Sequence, residues 1–237
     1  MRSWETYGSS LPGMERVQGT GSLLVIEGTD GVGRSTQVER LKTWLEKQGR
    51  AVLDTGMTRS VLAGDGIKQA KMGHTLGPVT ASLFYATDFA DRLENEIVPA
   101  LRAGFVVLTD RYVYSLLARA MVRGVCRKWI QDVYGFALKP DATFYLQVGL
   151  EELVPRVVFG RGFDFWESGM DLHLGNDMYD SFCRYQTLLL EEFDAMAERY
   201  QFQVIDARRP IDEVFQDLQG RIAALLGISV APAYELD

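Results

Sequence analysis

Short apolar runs alternate with longer amphipathic stretches along most of the chain. Three of the runs, at 23–26, 105–108 and 144–148, are apolar enough for burial on both faces of a sheet. The amphipathic stretches repeat apolar residues at helical spacing, as in Val38, Leu41 and Leu45. The pattern predicts strands at 22–27, 51–55, 105–109, 142–148 and 202–206. It predicts helices from Arg34 to Gly49 and at 65–72, 80–102, 114–137 with a break at Gly124, 151–159, 177–200 and 210–225.

This alternation of strands with helices sets the expected architecture. It is typical of an α/β fold with a parallel sheet, right-handed crossovers and helices on both faces. Residues 22–237 contain no repeat and no linker long enough to divide them, so they predict a single domain. Residues 1–21 are polar and rich in glycine and serine, which predicts a flexible N-terminal arm. Residues 160–175 are aromatic, glycine-rich and irregular, which indicates a mobile lid segment.

Composition narrows the class of protein. Hydrophobic residues make up 47% of the 237 residues and charged residues 24%, as in soluble globular proteins. No apolar run is long enough for a membrane span and no signal peptide is recognisable, so we expect the cytoplasm. Cys126 and Cys183 lack metal-binding spacing and predict buried thiols, and His74 and His173 have no partners that suggest a role. The net charge of −7 argues against nonspecific nucleic-acid binding, so a nucleotide site needs local arginines.

A glycine-rich turn follows the first predicted strand of the sheet. Gly28, Gly31 and Gly33 lie within six residues, and Ser35 follows where a helix begins. Glycines let backbone N–H groups converge on an anion, and the helix N-terminus adds further donors and a positive dipole. The spacing fits a phosphate-binding loop at 28–36, except that Arg34 stands in the position of the usual lysine. The alternative is an ordinary glycine-rich turn entering a helix.

A second polar motif ends the strand at 105–109. Asp110 and Arg111 follow this apolar run directly, and carboxyl ends of parallel strands face one cleft. We therefore expect them opposite the glycine loop. A carboxylate there suits Mg²⁺, and an arginine fork matches phosphate oxygens two at a time. The alternative is a structural ion pair at a strand end.

Further motifs complete an ordered set. Leu83-Phe84-Tyr85-Ala86 lies in a predicted helix, Ser115 follows Asp110-Arg111-Tyr112, and 204–211 reads Val-Ile-Asp-Ala-Arg-Arg-Pro-Ile. With the loop G-x-D-G-x-G-[KR]-S-T, these residues resemble the thymidylate kinase family of P-loop nucleoside monophosphate kinases. The resemblance implies a P-loop NTPase fold with a five-stranded parallel sheet and an arginine-bearing lid. It implies transfer of the γ-phosphoryl group of ATP to dTMP with Mg²⁺. It also implies a homodimer formed through helices beside the sheet, for which the helix at 83–101 is a candidate surface, although its apolar residues fit an intramolecular core equally well.

The resemblance also implies residue roles. Arg34, Arg111 and Arg161 are the expected catalytic residues, with Arg156 in reserve for the lid arginine. Ser35 and Asp110 are the expected metal ligands. The expected acceptor-binding residues are Asp30, Arg59, Phe84, Arg111 and Arg119. The expected ATP phosphate-binding residues are Gly28, Asp30, Gly31, Val32, Gly33, Arg34, Ser35 and Thr36. For Phe84 a place in the core, for Asp30 a turn, and for Arg161 a solvated surface charge remain the alternatives.

Four departures from the family pattern leave the identity of the acceptor substrate undetermined. Arg34 replaces lysine, and the family's thymine-binding arginine is absent from Thr87-Asp88-Phe89. Leu116 and Arg119 stand where the family has polar and aromatic base contacts, and 60–63 replaces a Glu-Pro-Gly-Gly stretch. The phosphate-binding elements are thus kept while the base-binding elements change. The leading hypothesis is an active kinase for dTMP or a related nucleotide. The alternatives are a nucleotide-binding pseudokinase and a P-loop kinase for a different small molecule.

Overall fold

The fold is organised around a parallel β-sheet. The computed structural model describes residues 1–10, 17–73 and 76–229. Its strands are β1 (Arg2–Trp4), β2 (Val17–Gly19), β3 (Ser22–Glu27), β4 (Val52–Gly56), β5 (Val106–Asp110), β6 (Ala142–Gln147) and β7 (Gln203–Asp206). Five of them form one sheet in the order β4-β5-β3-β6-β7, with parallel pairing throughout. The predicted five-stranded parallel sheet of a P-loop NTPase fold is confirmed.

Helices cover both faces of this sheet. They are α1 (Arg34–Lys47), α2 (Gly64–Met72), α3 (Pro78–Arg92), α4 (Val98–Arg102), α5 (Val113–Val122), α6 (Arg127–Val133), α7 (Leu150–Val158), α8 (Met178–Tyr200) and α9 (Ile211–Leu226). Side chains alternate along each strand, so Leu23 and Val25 join the core that includes α3, α5 and α8. Leu24 and Ile26 join the opposite core, which includes α1, α7 and α9. The predicted two-sided burial of the central strands follows from this arrangement.

The long predicted helix at 80–102 is one rod with an irregular turn. A π-helical segment, Leu93–Ile97, separates α3 from α4. Pro99 lies one residue inside α4, lacks an N–H, and its ring would crowd the carbonyl of Asn95 in a regular helix. The wider turn accommodates the proline. The predicted break at Gly124 is present, because α5 ends at Val122 and Gly124 has a φ of 80°.

The N-terminal segment differs from the prediction of a loose arm. Among the described residues of 1–21, β1 and β2 form an antiparallel pair. Trp4 is only 6% exposed, and its indole donates to Asp141 at 3.1 Å. Arg2 donates to the other oxygen of that carboxylate at 3.1 Å. The sequence could not predict this, because strands of three residues carry no usable periodicity and their anchor lies more than 130 residues away.

The cysteines also differ in part from the prediction. Cys126 is exposed and Cys183 is half-buried, and both are free thiols. The expectation of a buried thiol is therefore wrong for Cys126, which precedes α6 at a surface turn. Within the described ranges, no helix combines the length and the apolarity that a bilayer crossing requires.

Candidate active site

The glycine loop connects β3 to α1 at the carboxyl edge of the sheet. Gly28, Gly31 and Gly33 have φ values of 145°, 84° and 102°, which L side chains rarely adopt. A Cβ on Gly31 would also lie 2.7 Å from a methyl carbon of Val157. Val32 is buried and points into the core, whereas Ser35 and Thr36 are exposed at the first turn of α1. The loop therefore leaves backbone donors and two hydroxyls at the cleft.

Arg34 folds back onto the loop that carries it. Its side chain is 6% exposed and donates to the carbonyl oxygens of Gly28 and Thr29. Its Nε donates to Asp110 at 2.7 Å. We call this set of contacts the Arg34 clasp. The clasp ties the glycine loop to the end of β5, so the guanidinium is engaged by the protein itself.

Ser35 and Asp110 meet on the other side of that carboxylate. The Ser35 hydroxyl donates to Asp110 Oδ2 at 2.8 Å. A hydroxyl and a carboxylate are hard oxygen ligands, and Mg²⁺ is usually bound by one or two protein oxygens together with phosphates and water. Across the described ranges, no cluster of three or more His, Cys, Asp or Glu residues could hold a metal by itself. The residue pair fits a metal that nucleotide phosphates help to bind.

Four arginines approach Asp30: Arg34 of the clasp lies 3.8 Å away, and Arg111, Arg119 and Arg161 form with Asp30 a group that we call the arginine cluster. Arg111 and Arg119 form ion pairs with Asp30, which is 1% exposed. Arg161 approaches the same carboxylate to 3.7 Å and is itself 54% exposed. Three guanidinium groups around one carboxylate leave an excess of positive charge. The arrangement favours an anion with several oxygens, such as a phosphate.

Arg111 has an altered pKa and an unusual backbone conformation within the arginine cluster. Burial, together with the neighbouring Arg119 charge, lowers the pKa of Arg111 to about 9. Its backbone has a φ of 72°, in the left-handed region that non-glycine residues seldom occupy. Such backbone conformations persist only where surrounding contacts determine them. The Arg111 backbone donates to the Ile26 carbonyl at 3.1 Å and accepts from the Thr109 hydroxyl at 2.7 Å.

Glu27 holds the residues that follow Arg111, and sequence reasoning missed it. Its buried carboxylate accepts from the backbone N–H of Tyr112 at 2.7 Å and of Ser115 at 3.3 Å. It also accepts from the Ser115 hydroxyl at 2.7 Å. The carboxylate thus caps α5 at its positive end, directly after Arg111. Burial raises the pKa of Glu27. An acidic residue at the end of an otherwise apolar strand was the available signal.

A second cavity, separate from the cleft between the glycine loop and Asp110, lies beside the arginine cluster. It lies between α2, α3, α5 and the lid segment. The lining residues are Lys71, Leu76, Pro78, Ala81, Ser82, Tyr85, Leu116, Arg119, Ala120, Arg123, Tyr134 and Trp166. Arg119 faces this cavity and also pairs with Asp30, so it joins the cavity to the phosphate cleft. The second cavity and the phosphate cleft therefore adjoin at Arg119.

Two of the predicted acceptor residues, Phe84 and Arg59, belong neither to the lining of this second cavity nor to the arginine cluster. Phe84 is 37% exposed and lies beside Gly66, and the cavity is lined instead by its neighbour Tyr85. Arg59 lines the cleft with Asp110 and Arg111, and its guanidinium pairs with Asp54 at 2.9 Å. Their roles stay predictions.

A third opening lies between the glycine loop and the turn after β7. It is lined by apolar side chains that include Val32, Leu146, Pro210 and Val214. Arg156 donates to the backbone oxygens of Val32 at 3.3 Å and Ala207 at 2.8 Å. It therefore joins two loops, which leaves Arg161 as the arginine of the lid segment that reaches the arginine cluster. A flat apolar ring fits this opening.

Comparison with known proteins bears on this geometry. The family model described as thymidylate kinase matches residues 26–218. The chain belongs to the thymidylate kinase family. The probable thymidylate kinase 2 of Saccharolobus solfataricus is 40% identical over 201 residues, covering 84% of this chain and 94% of its own. The thymidylate kinase of Bifidobacterium longum subsp. infantis is 35% identical, covering 90% of each chain. The probable thymidylate kinase of Thermococcus kodakarensis is 31% identical, covering 86% of this chain and 98% of its own.

Family membership confirms the predicted class of enzyme. The chain is a nucleoside monophosphate kinase of the thymidylate kinase family, and the pseudokinase alternative is not favoured. Two of the departures from the family pattern, at 87–89 and at 60–63, are connected by a hydrogen bond.

Asp88, in the helix where the family carries its base-binding arginine, is fully buried. It accepts from the backbone N–H of Thr58 at 3.1 Å and of Ser60 at 3.0 Å, and from Arg92 at 3.1 Å. Asp88 therefore anchors the altered 60–63 stretch onto α3. The two regions that depart from the family pattern are thus in direct contact in this structure.

The lid segment at 160–175 is irregular, as predicted, with one short 3₁₀ turn at Met170–Leu172. Arg123 holds it by donating to Asp171 at 2.8 and 3.1 Å and to the carbonyl of Trp166 at 3.0 Å. Arg161 pairs with Glu167 within the segment. His173 is exposed there, and His74 lies outside the described residues. Mobility of the lid segment stays a prediction.

Proposed function

We propose that this thymidylate kinase family member transfers the γ-phosphoryl group of ATP to dTMP, giving ADP and dTDP. The observation that carries the proposal is the convergence of the glycine loop, Asp110 and the arginine cluster at one edge of the sheet. Phosphoryl transfer depends on positioning and charge neutralisation more than on a covalent catalyst.

Each side of the cleft has a proposed task. Backbone N–H groups at 28–36 and the N-terminus of α1 hold the ATP phosphates, and the apolar opening beside Pro210 takes the adenine. Arg111 binds the acceptor phosphate, and Asp30 approaches the 3′-hydroxyl of its sugar. Arg161 stabilises the charge that develops on the transferred group. Ser35 and Asp110 would hold Mg²⁺, which when bound neutralises phosphate charge.

The test is a coupled assay of ADP formation with ATP, Mg²⁺ and a panel of nucleoside monophosphates. We expect dTMP to give the highest kcat/KM. Asp110→Asn should lower the rate strongly, because it removes the carboxylate charge beside Ser35. Asp132→Asn is the matched control, since Asp132 is 65% exposed and pairs with Lys128 on α6. No ADP above background with any acceptor would overturn the proposal.

A homodimer and a cytoplasmic location are the finer expectations. Val79, Leu83 and Phe84 on α3 are 55%, 48% and 37% exposed, which supports a contact surface for a second copy on this helix. Light scattering coupled to size-exclusion chromatography would test it, with Leu83→Asp expected to shift a dimer toward monomer. A monomer at all concentrations would exclude it. Cell fractionation would test the location.

A further inference from the structure

The second cavity has one cation that the protein leaves unsatisfied. Lys71, Arg119 and Arg123 all line it. Arg123 is saturated by Asp171, Tyr185 and the carbonyl of Trp166, and Arg119 is paired with Asp30. The Lys71 ammonium makes no hydrogen bond or ion pair with any residue in the ranges 1–10, 17–73 and 76–229.

Lys71 is nevertheless held in place at the cavity wall. It lies in the last turn of α2 and is half-buried. Its backbone carbonyl accepts from the Trp166 indole at 2.9 Å, which fixes the end of α2 against the lid segment. Burial and the nearby charge of Arg119 lower the pKa of Lys71. A cation that is desolvated without a partner favours a ligand that offers an acceptor atom.

The surroundings limit what that ligand can be. Leu116, Pro78 and Ala81 make the wall next to Lys71 largely apolar, so a neutral flat ring fits better than a second phosphate. The two acidic residues of α3 are engaged elsewhere: Asp88 accepts from Arg92 and the 58–60 backbone, and Asp91 accepts from Ser60 and Asn95. Asp164 and Glu167 contribute only longer-range attraction to Lys71.

We propose that Lys71 is a specificity-determining residue, whose ammonium donates to the 4-carbonyl oxygen of the acceptor base. An ammonium has three donors and no acceptor, so it favours a pyrimidine-2,4-dione over a pyrimidine with a 4-amino group. The proposal rests on the proposed function, since it assigns the second cavity to the base of the acceptor nucleotide. It also gives this site a donor to the base although Thr87-Asp88-Phe89 of α3 contains no arginine.

The test compares dTMP with 5-methyl-dCMP, which carries an amine in place of the 4-carbonyl and an unprotonated N3 in place of N3–H. The wild type should prefer dTMP. Lys71→Met should lower kcat/KM for dTMP by about 10- to 100-fold, mainly through KM, because a charged hydrogen bond to the base is lost. The value for 5-methyl-dCMP should change by less than about threefold. Lys71→Arg should recover most of the preference, since it keeps a cationic donor.

Lys68→Met is the matched control. Lys68 lies one turn earlier on α2, is 65% exposed and pairs with Asp65, so both substrates should behave as with the wild type. A purely structural role of Lys71 would lower the melting temperature and the kcat/KM of both nucleotides together, and that result would overturn the proposal. An unchanged ratio of the two nucleotides in Lys71→Met would also overturn it.

Failure of the proposed function is separable from failure of this inference. If the wild type phosphorylates neither nucleotide, the proposed function fails. Calorimetric titration of both nucleotides into the wild type and Lys71→Met then decides the role of Lys71 alone. Selective loss of dTMP affinity supports it, and parallel or absent loss excludes it.

Discussion

The Arg34 clasp gives the sharpest test of how the glycine loop is held. Replacing Arg34 by methionine removes the donors to the carbonyls of Gly28 and Thr29 and the 2.7 Å bond to Asp110. Hydrogen bonds that involve a charged group are worth about 1.5–3 kcal/mol each, and groups left buried and unpaired cost more. Asp110 keeps its bond to Ser35 and is 12% exposed, so water relieves part of the loss. We expect Arg34→Met to lower the free energy of unfolding by about 2–4 kcal/mol.

For a chain of this size, that loss corresponds to a fall in melting temperature of about 4–16 °C. Arg34→Lys should lose about half as much, because one ammonium reaches either the loop carbonyls or Asp110 but not both. Urea and thermal unfolding without nucleotide measure these differences. Arg184→Met, at an arginine that is 58% exposed, is the control and should leave the unfolding midpoint unchanged. If Arg34→Met unfolds at the wild-type midpoint, the clasp does not hold the loop and this reasoning is refuted.

Three further predictions concern the surroundings of the clasp. Because burial raises the pKa of Glu27, folding favours its protonated form. The wild type should therefore lose stability relative to Glu27→Gln as pH rises above about 4.3. A difference in urea midpoint between the two proteins that stays constant across pH would contradict this. Arg161→Met should lower kcat by about 100-fold with little change in melting temperature, because the side chain is 54% exposed and approaches the arginine cluster; an unchanged kcat in the coupled assay would exclude its role. Gly31→Ala should lower the free energy of unfolding by about 1–3 kcal/mol and weaken ATP binding, since its φ is 84° and the new methyl would meet Val157 at 2.7 Å. Gly77→Ala, where a methyl meets nothing within 4 Å, is its control in the same urea and ATP titrations.

The loop and the sheet were predictable because their signals are local. Glycines at 28, 31 and 33 are required by backbone angles that the sequence spacing alone suggests. Apolar runs predicted the five strands of the main sheet, since two-sided burial leaves little choice of residue. The meeting of Asp110 with the loop also followed, because β3 and β5 are parallel neighbours that end at one edge.

The supports of the site were not predictable, because each joins residues far apart in the chain. Glu27 meets Ser115 across 88 positions, and Arg34 meets Asp110 across 76. No spacing rule relates such pairs, since their distance depends on how the sheet and helices pack. The same holds for Trp4 and Asp141, which order an N-terminal segment that composition marks as loose.

The sequence by itself therefore determined the strand and helix order, the phosphate loop and the family of this protein. Each of these depends on residues that are neighbours in the chain or on motifs in a fixed order. Only the tertiary structure decided that Arg34 clasps its own loop, that Asp88 holds the 58–60 backbone and that Lys71 faces a cavity with no partner among the described residues. The physical reason is that the effect of a charged side chain depends on the groups around it, and those groups are brought together only when the sheet and the helices pack.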